Sequence, residues 1–126
     1  MEKIILKILL AEDDPNISTI SKITLEALGG HQVFTVDNGE DAYNRALSES
    51  FDVILLDEMM PKMNGIKVCK ELRAKKVKTP IIFLSAKSQL TDIEIFEAIG
   101  NGFIPKPFDP MTLNSRILKI LEDSGF

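Results

Sequence analysis

Four stretches of the chain end an apolar run on a residue that can do chemistry. Ile4–Ala11 leads into Glu12-Asp13-Asp14, Val53–Leu56 stops at Asp57, Pro80–Leu84 at Ser85, and Gly102–Pro105 at Lys106. A carboxylate at the edge of a buried run is held partly out of water, which needs a reason. If the first and third runs are neighbours, Glu12, Asp13 and Asp57 converge. Two such charges ~4 Å apart repel by about 4 kcal/mol at an effective dielectric near ~20. Either one acid stays protonated or a cation sits among them. Carboxylate oxygens with room for water and a phosphate oxygen suit Mg²⁺. Lys106 adds a point charge and Ser85 a hydroxyl, so an oxyanion fits between them and the metal. This is apparatus for phosphoryl transfer. Asp57 is the best-placed nucleophile, and Glu12 and Asp13 would orient the metal.

The elements that must position these residues alternate. His31–Val36 supplies a fifth β-type run, and all five are short and bounded by turn formers. The first, third and fourth are apolar nearly throughout, as parallel strands covered on both faces are. Helical patterns lie between them. Asp14-Pro15 reads as an N-cap with a first-turn proline, and Gly29-Gly30 as the stop. Ile17, Ile20, Ile23 and Ala27 share one face of that first helix. Asn38-Gly39 opens a second, with Ala42, Ala46 and Leu47 inward, and Asn64-Gly65 a third, with Ile66, Cys69 and Leu72 inward. A fourth runs from about Gln89 to Ile99, and a fifth follows Asp109-Pro110, with Leu113, Ile117, Ile120 and Leu121 inward. Five βα units joined by right-handed crossovers give a doubly wound parallel sheet. Ligands of such sheets sit outside the carboxyl ends of the strands.

The bulk properties agree with this pattern. At 126 residues the chain reads as one domain with a real core. A net charge of −4 excludes the basic footprint of a nucleic-acid binder. The single cysteine, Cys69, permits a reducing compartment. Lys7 interrupts the N-terminal apolar stretch and three acids follow it, so it does not read as a signal peptide. No run is long enough to cross a membrane. The expectation is a cytoplasmic, soluble domain with no membrane partner.

LLAEDDP, ILLDEMMPKMNG, IIFLSA and GFIPKPF stand in order along the chain. In these motifs the sequence resembles the receiver domain of bacterial two-component response regulators, including the single-domain chemotaxis regulators, over essentially its whole length. The resemblance implies a flavodoxin-like sheet in the order 2-1-3-4-5. It implies that Asp57 accepts a phosphoryl group from the phosphohistidine of a sensor histidine kinase or phosphotransfer protein. Glu12, Asp13, Asp57 and the backbone carbonyl of Met59 would surround Mg²⁺, and Ser85 and Lys106 would contact the phosphoryl oxygens. The Lys106-Pro107 bond would be cis. Ser85 and Phe103 would switch the face formed by the fourth helix, fifth strand and fifth helix, and so signal to a downstream protein or output domain. Such a domain catalyses only its own phosphorylation and dephosphorylation, and is not an enzyme with a separate substrate. A chain ending at Phe126 fits a stand-alone regulator or the receiver of a longer one.

Three features depart from commoner members. The switch aromatic is Phe103, where tyrosine is frequent, so the ring acts by packing alone. Ile99-Gly100-Asn101-Gly102 replaces an alanine-rich turn, which loosens that loop. Met59 and Lys87, two residues beyond Asp57 and Ser85, stand where side chains tune water access.

Other residues read more plainly. Asp14 is an N-cap rather than a ligand, and Cys69 a buried small hydrophobe. His31 has no assigned role. Met59, Met60 and Met63 form a loop packed on the third helix. Lys62, Lys67, Lys70, Arg73, Lys75, Lys76 and Lys78 make a solvated face around it. Ile95, off the apolar side of the fourth helix, is unremarkable as a single exposed apolar residue; the alternative reading places it beside Phe103 on a partner surface. A haloacid-dehalogenase-type phosphatase would need a second aspartate at position 59, which is methionine. A dinucleotide carrier would need a glycine loop after the first strand, and there is none. The alternative is a receiver-like interaction module that works without phosphorylation.

Overall fold

The computed structural model describes residues 4–87 and 89–125. Strands β1 (Lys7–Ala11), β2 (Gln32–Val36), β3 (Val53–Asp57), β4 (Ile81–Ser85) and β5 (Gly102–Pro105) alternate with helices α1 (Pro15–Gly29), α2 (Gly39–Ser48), α3 (Gly65–Ala74), α4 (Leu90–Ile99) and α5 (Pro110–Asp123). All pairings are parallel, in the order β2-β1-β3-β4-β5. This is the expected flavodoxin-like sheet. The first run is shorter than its apolar character suggests, because Ile4 and Ile5 lie outside the sheet and are exposed.

Strand residues alternate between two cores. Leu9, Ala11, Ile54, Leu56, Ile81 and Phe83 face α2, α3 and α4. Ile8, Leu10, Val53, Leu55, Ile82 and Leu84 face α1 and α5. The central strands are thus buried on both sides, so they read as continuous apolar runs. Side-chain caps set where four helices begin. The carboxylates of Asp14 and Asp109 and the amide oxygens of Asn38 and Asn64 accept from first-turn backbone N–H groups. Gly30, at φ 69°, closes α1 in the left-handed conformation.

Two helix faces differ from the apolar pattern. Helix α1 buries Ser21, Thr24, Leu25 and Gly29, while Ile20 and Ile23 are 42% and 54% exposed. Small residues let α1 lie close to the sheet and to α5. Thr24 can be buried because its Oγ1 donates to the Ile20 and Ser21 carbonyls. In α2, Ala42 and Ala46 are buried, but Leu47 is exposed. Helix α3 adds Val68 to the expected Cys69 and Leu72.

Candidate functional site

Register brings the chemistry together. Ala11 pairs with Leu56 and Asp57 with Leu84, so the residues just past these strand ends share one rim. Ser85 is level with Pro105, which sets Lys106 beside it, and the Lys106 N–H donates to the Ser85 carbonyl at 2.8 Å. The start of α3 closes the rim from the side. The Gly65 N–H donates to the Glu58 carbonyl, and a Cβ on Gly65 would lie 2.4 Å from the Asp57 carbonyl oxygen. Only glycine permits that approach.

Lys106 sits between two acids, with Nζ 2.6 Å from Glu12 Oε1 and 3.3 Å from Asp57 Oδ1. The Glu12 contact is an ion pair rather than an aligned hydrogen bond. Glu12 Oε2 accepts from the Asp14 N–H, and Asp57 Oδ1 accepts from the Met59 N–H at 3.2 Å. Glu12 and Asp57 are buried and Asp13 is exposed. Oxygens of all three carboxylates lie within 4.8 Å of one another. Burial, then hydrogen bonding with Glu12 and Asp13 and the charge of Glu12, push Asp57 up to about 8, against the pull of Lys106. Burial also opposes the charge on Lys106, but the two carboxylates outweigh it and hold its ammonium above the ordinary value.

One ammonium therefore faces three carboxylates, and the cluster is short of positive charge. The donor set is all hard oxygen, with no sulfur or imidazole in it, and so fits a hard divalent cation. The sequence expectation of such a cluster is met in its geometry. Buried Ser85 lies on the same rim, where its Oγ accepts from the Lys87 N–H at 3.0 Å. The Lys106–Pro107 peptide is cis. Phe103 is half-buried and continues a stack of rings, 5.9 Å from Phe96, which is 4.8 Å from Phe83. Ile95 is exposed on α4.

Four sequence readings change. The 99–102 turn is pinned rather than loose: the Asn101 side-chain oxygen accepts from the Ile81 N–H and from Arg73. Arg73 leaves the solvated basic face, since its guanidinium also donates to the carbonyls of Ile99, Val77 and Thr79. Of the loop methionines, Met60 and Met63 pack inward, but the Met59 side chain is 69% exposed. His31 is buried and bonded at both ring nitrogens. Sequence reasoning also passed over Glu58, which is buried beside Asp57 and 3.0 Å from Lys87 Nζ. Its signal was a second acid in a methionine-rich loop, opposite a lysine just past the neighbouring strand.

A doubly wound parallel sheet with acids, a hydroxyl and a lysine on its carboxyl rim defines a signalling domain of the two-component type. The family model of the response regulator receiver domain matches residues 8–118, and the chain belongs to that family. Among curated proteins it is 40% identical to the alkaline phosphatase synthesis transcriptional regulatory protein PhoP of Bacillus subtilis, over 94% of this chain and 49% of that protein. It is 37% identical to the transcriptional regulatory protein ResD of the same organism, over 91% of this chain and 48% of ResD. The chain thus spans about half the length of these relatives. Among solved structures, a Francisella response regulator receiver domain superposes with a TM-score of 0.86 at 29% identity, covering 94% of this chain and 98% of that one. The chemotaxis response regulator CheY4 of Vibrio cholerae gives 0.85 at 29% identity, covering 93% of this chain and 99% of that one. No helix among the described residues is long and apolar enough to cross a membrane.

Proposed function

We propose that residues 1–126 form one phosphoacceptor domain and that Asp57 takes a phosphoryl group from the phosphohistidine of a sensor histidine kinase or phosphotransfer protein. The observation that carries this reading is the placement of Lys106 against both Glu12 and Asp57, within a carboxylate cluster short of positive charge. In the transfer, the donor's N–P bond breaks and a bond from an Asp57 carboxylate oxygen to phosphorus forms; water later cleaves the acyl phosphate to inorganic phosphate. Mg²⁺, held by Glu12, Asp13, Asp57 and the Met59 backbone carbonyl, directly or through water, would neutralise charge on the transferring group. Lys106 binds a phosphoryl oxygen as a point charge, and Ser85 donates its hydroxyl to another.

The same contacts drive the switch. A hydroxyl drawn toward the phosphoryl group moves the end of β4, and Phe103 repacks against the Phe96 ring. The readout surface is the α4–β5–α5 face, read by a downstream protein or an output domain. The domain itself contacts no nucleic acid and works in the cytoplasm. Incubation with Mg²⁺ and acetyl phosphate, followed by intact mass, is the test. One phosphoryl adduct is expected on the parent and none on Asp57→Asn; an undiminished adduct on the variant would remove Asp57 from this role.

A further inference from the structure

Glu58 is a buried acid that the phosphoacceptor reading does not use. Its side chain is 7% exposed, and it follows the apolar β3 strand directly. One carboxylate oxygen meets Lys87 Nζ at 3.0 Å; the other has no hydrogen-bond partner among the described residues. A half-satisfied buried carboxylate is costly, and an apolar residue would be the stabilising choice at such a position. Lys87 is tied at two points to the neighbouring strand ends. Its backbone N–H donates to Ser85 Oγ, and its ammonium is held by Glu58. Lys87, Ser85, Asp57 and Lys106 all line one cavity of about 350 Å³. Glu58 therefore fixes where a second ammonium stands at the mouth of the Asp57 cavity.

We propose that Glu58 is a positioning residue that restrains Lys87 from the phosphoryl position, and so limits how tightly the site holds a phosphoryl group. This rests on the phosphoacceptor reading. The long lysine stem lets Nζ turn from Glu58 toward the cavity, where a tetrahedral oxyanion competes with the carboxylate for it. The Glu58 contact also anchors the Lys87 backbone, whose N–H occupies the Ser85 hydroxyl oxygen. One ion pair thus sets both the position of the Lys87 ammonium and, through the Lys87 N–H, the orientation of the Ser85 hydroxyl that the phosphoryl group would recruit.

Beryllofluoride with Mg²⁺, a phosphoryl mimic, provides the probe. Its affinity is measured for the parent, Glu58→Gln, Lys87→Met, the double variant and Lys87→Arg, with Mg²⁺ affinity measured separately in its absence. Glu58→Gln is expected to bind beryllofluoride about threefold to tenfold more tightly, the scale of one charge-assisted surface contact. Mg²⁺ affinity should stay within about twofold, since Glu58 is outside the carboxylate cluster. Lys87→Met should bind more weakly than the parent because it leaves Glu58 uncompensated. The double variant should lose the gain of Glu58→Gln, and Lys87→Arg, which keeps the pair, should match the parent. An unchanged affinity in Glu58→Gln, or a gain that survives in the double variant, overturns the proposal while leaving the phosphoacceptor reading intact. A parent that takes up no beryllofluoride defeats both.

Discussion

The two ends of the sheet treat polar groups in opposite ways. At the amino end the side chains of Asp52, Asn101, His31 and Arg73 each close at least one hydrogen bond. The Asp52 carboxylate accepts from the Lys7 N–H at 2.7 Å, and Asn101 accepts from the Ile81 N–H at 3.0 Å. His31 Nδ1 accepts from the Leu6 N–H, so the ring proton lies on Nε2 and is donated to the Asn114 side-chain oxygen at 2.7 Å. Arg73 ties the end of α3 to three carbonyls around the same rim. At the carboxyl end, by contrast, like charges crowd together, Asp57 is pushed up to about 8, and Glu58 keeps an unpartnered oxygen. Satisfied polar groups tie the amino end together, whereas at the carboxyl rim unpartnered oxygens stand among crowded like charges, the setting in which a ligand binds.

The strongest way to break this contrast is Arg73→Ala. It removes four donated hydrogen bonds and leaves the Ile99, Val77 and Thr79 carbonyls without that partner. Urea unfolding should show a loss of about 2–3 kcal/mol, since hydrogen bonds from a charged group are worth more than neutral ones. The folded fraction should still take a phosphoryl group from acetyl phosphate at a rate within about twofold of the parent, because Arg73 acts only at the amino end. A stable variant, or a folded one that no longer phosphorylates, would show that the two ends are not separable in this way.

A substitution at the opposite end should have the opposite sign. An acid whose pKa rises on folding binds more protons folded than unfolded. Its ionisation therefore destabilises the fold. The penalty is absent below the unfolded value of about 3.9 and grows as pH climbs toward about 8, where it is complete. Asp57→Asn removes that penalty. Without divalent metal the variant should melt above the parent at pH 8 by at least about 1 kcal/mol, or roughly 4 °C. The gap should close near pH 4. Added Mg²⁺ should raise the parent's Tm more than the variant's, narrowing the difference. Equal melting at both pH values would mean that Asp57 carries no net electrostatic cost in the fold.

The contrast also explains what was legible in the sequence. The carboxyl rim could be read because strand ends are conspicuous: each of these apolar runs breaks at charged or hydroxylic residues, and parallel register brings those breaks together. The Glu12, Asp13, Asp57 cluster followed from that once the first and third strands are neighbours, whereas the sheet order came only with the family resemblance that the motifs carry. The amino rim was opaque. Arg73, Asn101 and His31 stand in turns or on an apparently solvated helix, and their partners lie 20 to 83 residues away for Asn101–Ile81 and His31–Asn114. Nothing local distinguishes such a residue from an exposed one. Glu58 was hidden differently, by standing next to a more obvious acid.

The inward face of α1 differs from its apolar pattern for a third reason, and the smallest expected effect, that of Ile23→Ser, is read there against a buried neighbour. Its isoleucines are its most apolar residues, yet the helix buries the positions that let it approach the sheet and α5 closely. Leu25 is fully buried and Ile23 is 54% exposed. Leu25→Ala should therefore cost about 3 kcal/mol, the scale of a core cavity. Ile23→Ser, two positions away, should change stability by no more than about 0.5 kcal/mol. The pair isolates burial from hydropathy, because both parents are large aliphatic residues on one helix. If Ile23→Ser proved as damaging as Leu25→Ala, the isoleucine face would have to be covered in solution, by a second copy or another chain. Sedimentation of the parent and Ile23→Ser would then distinguish the first from the second.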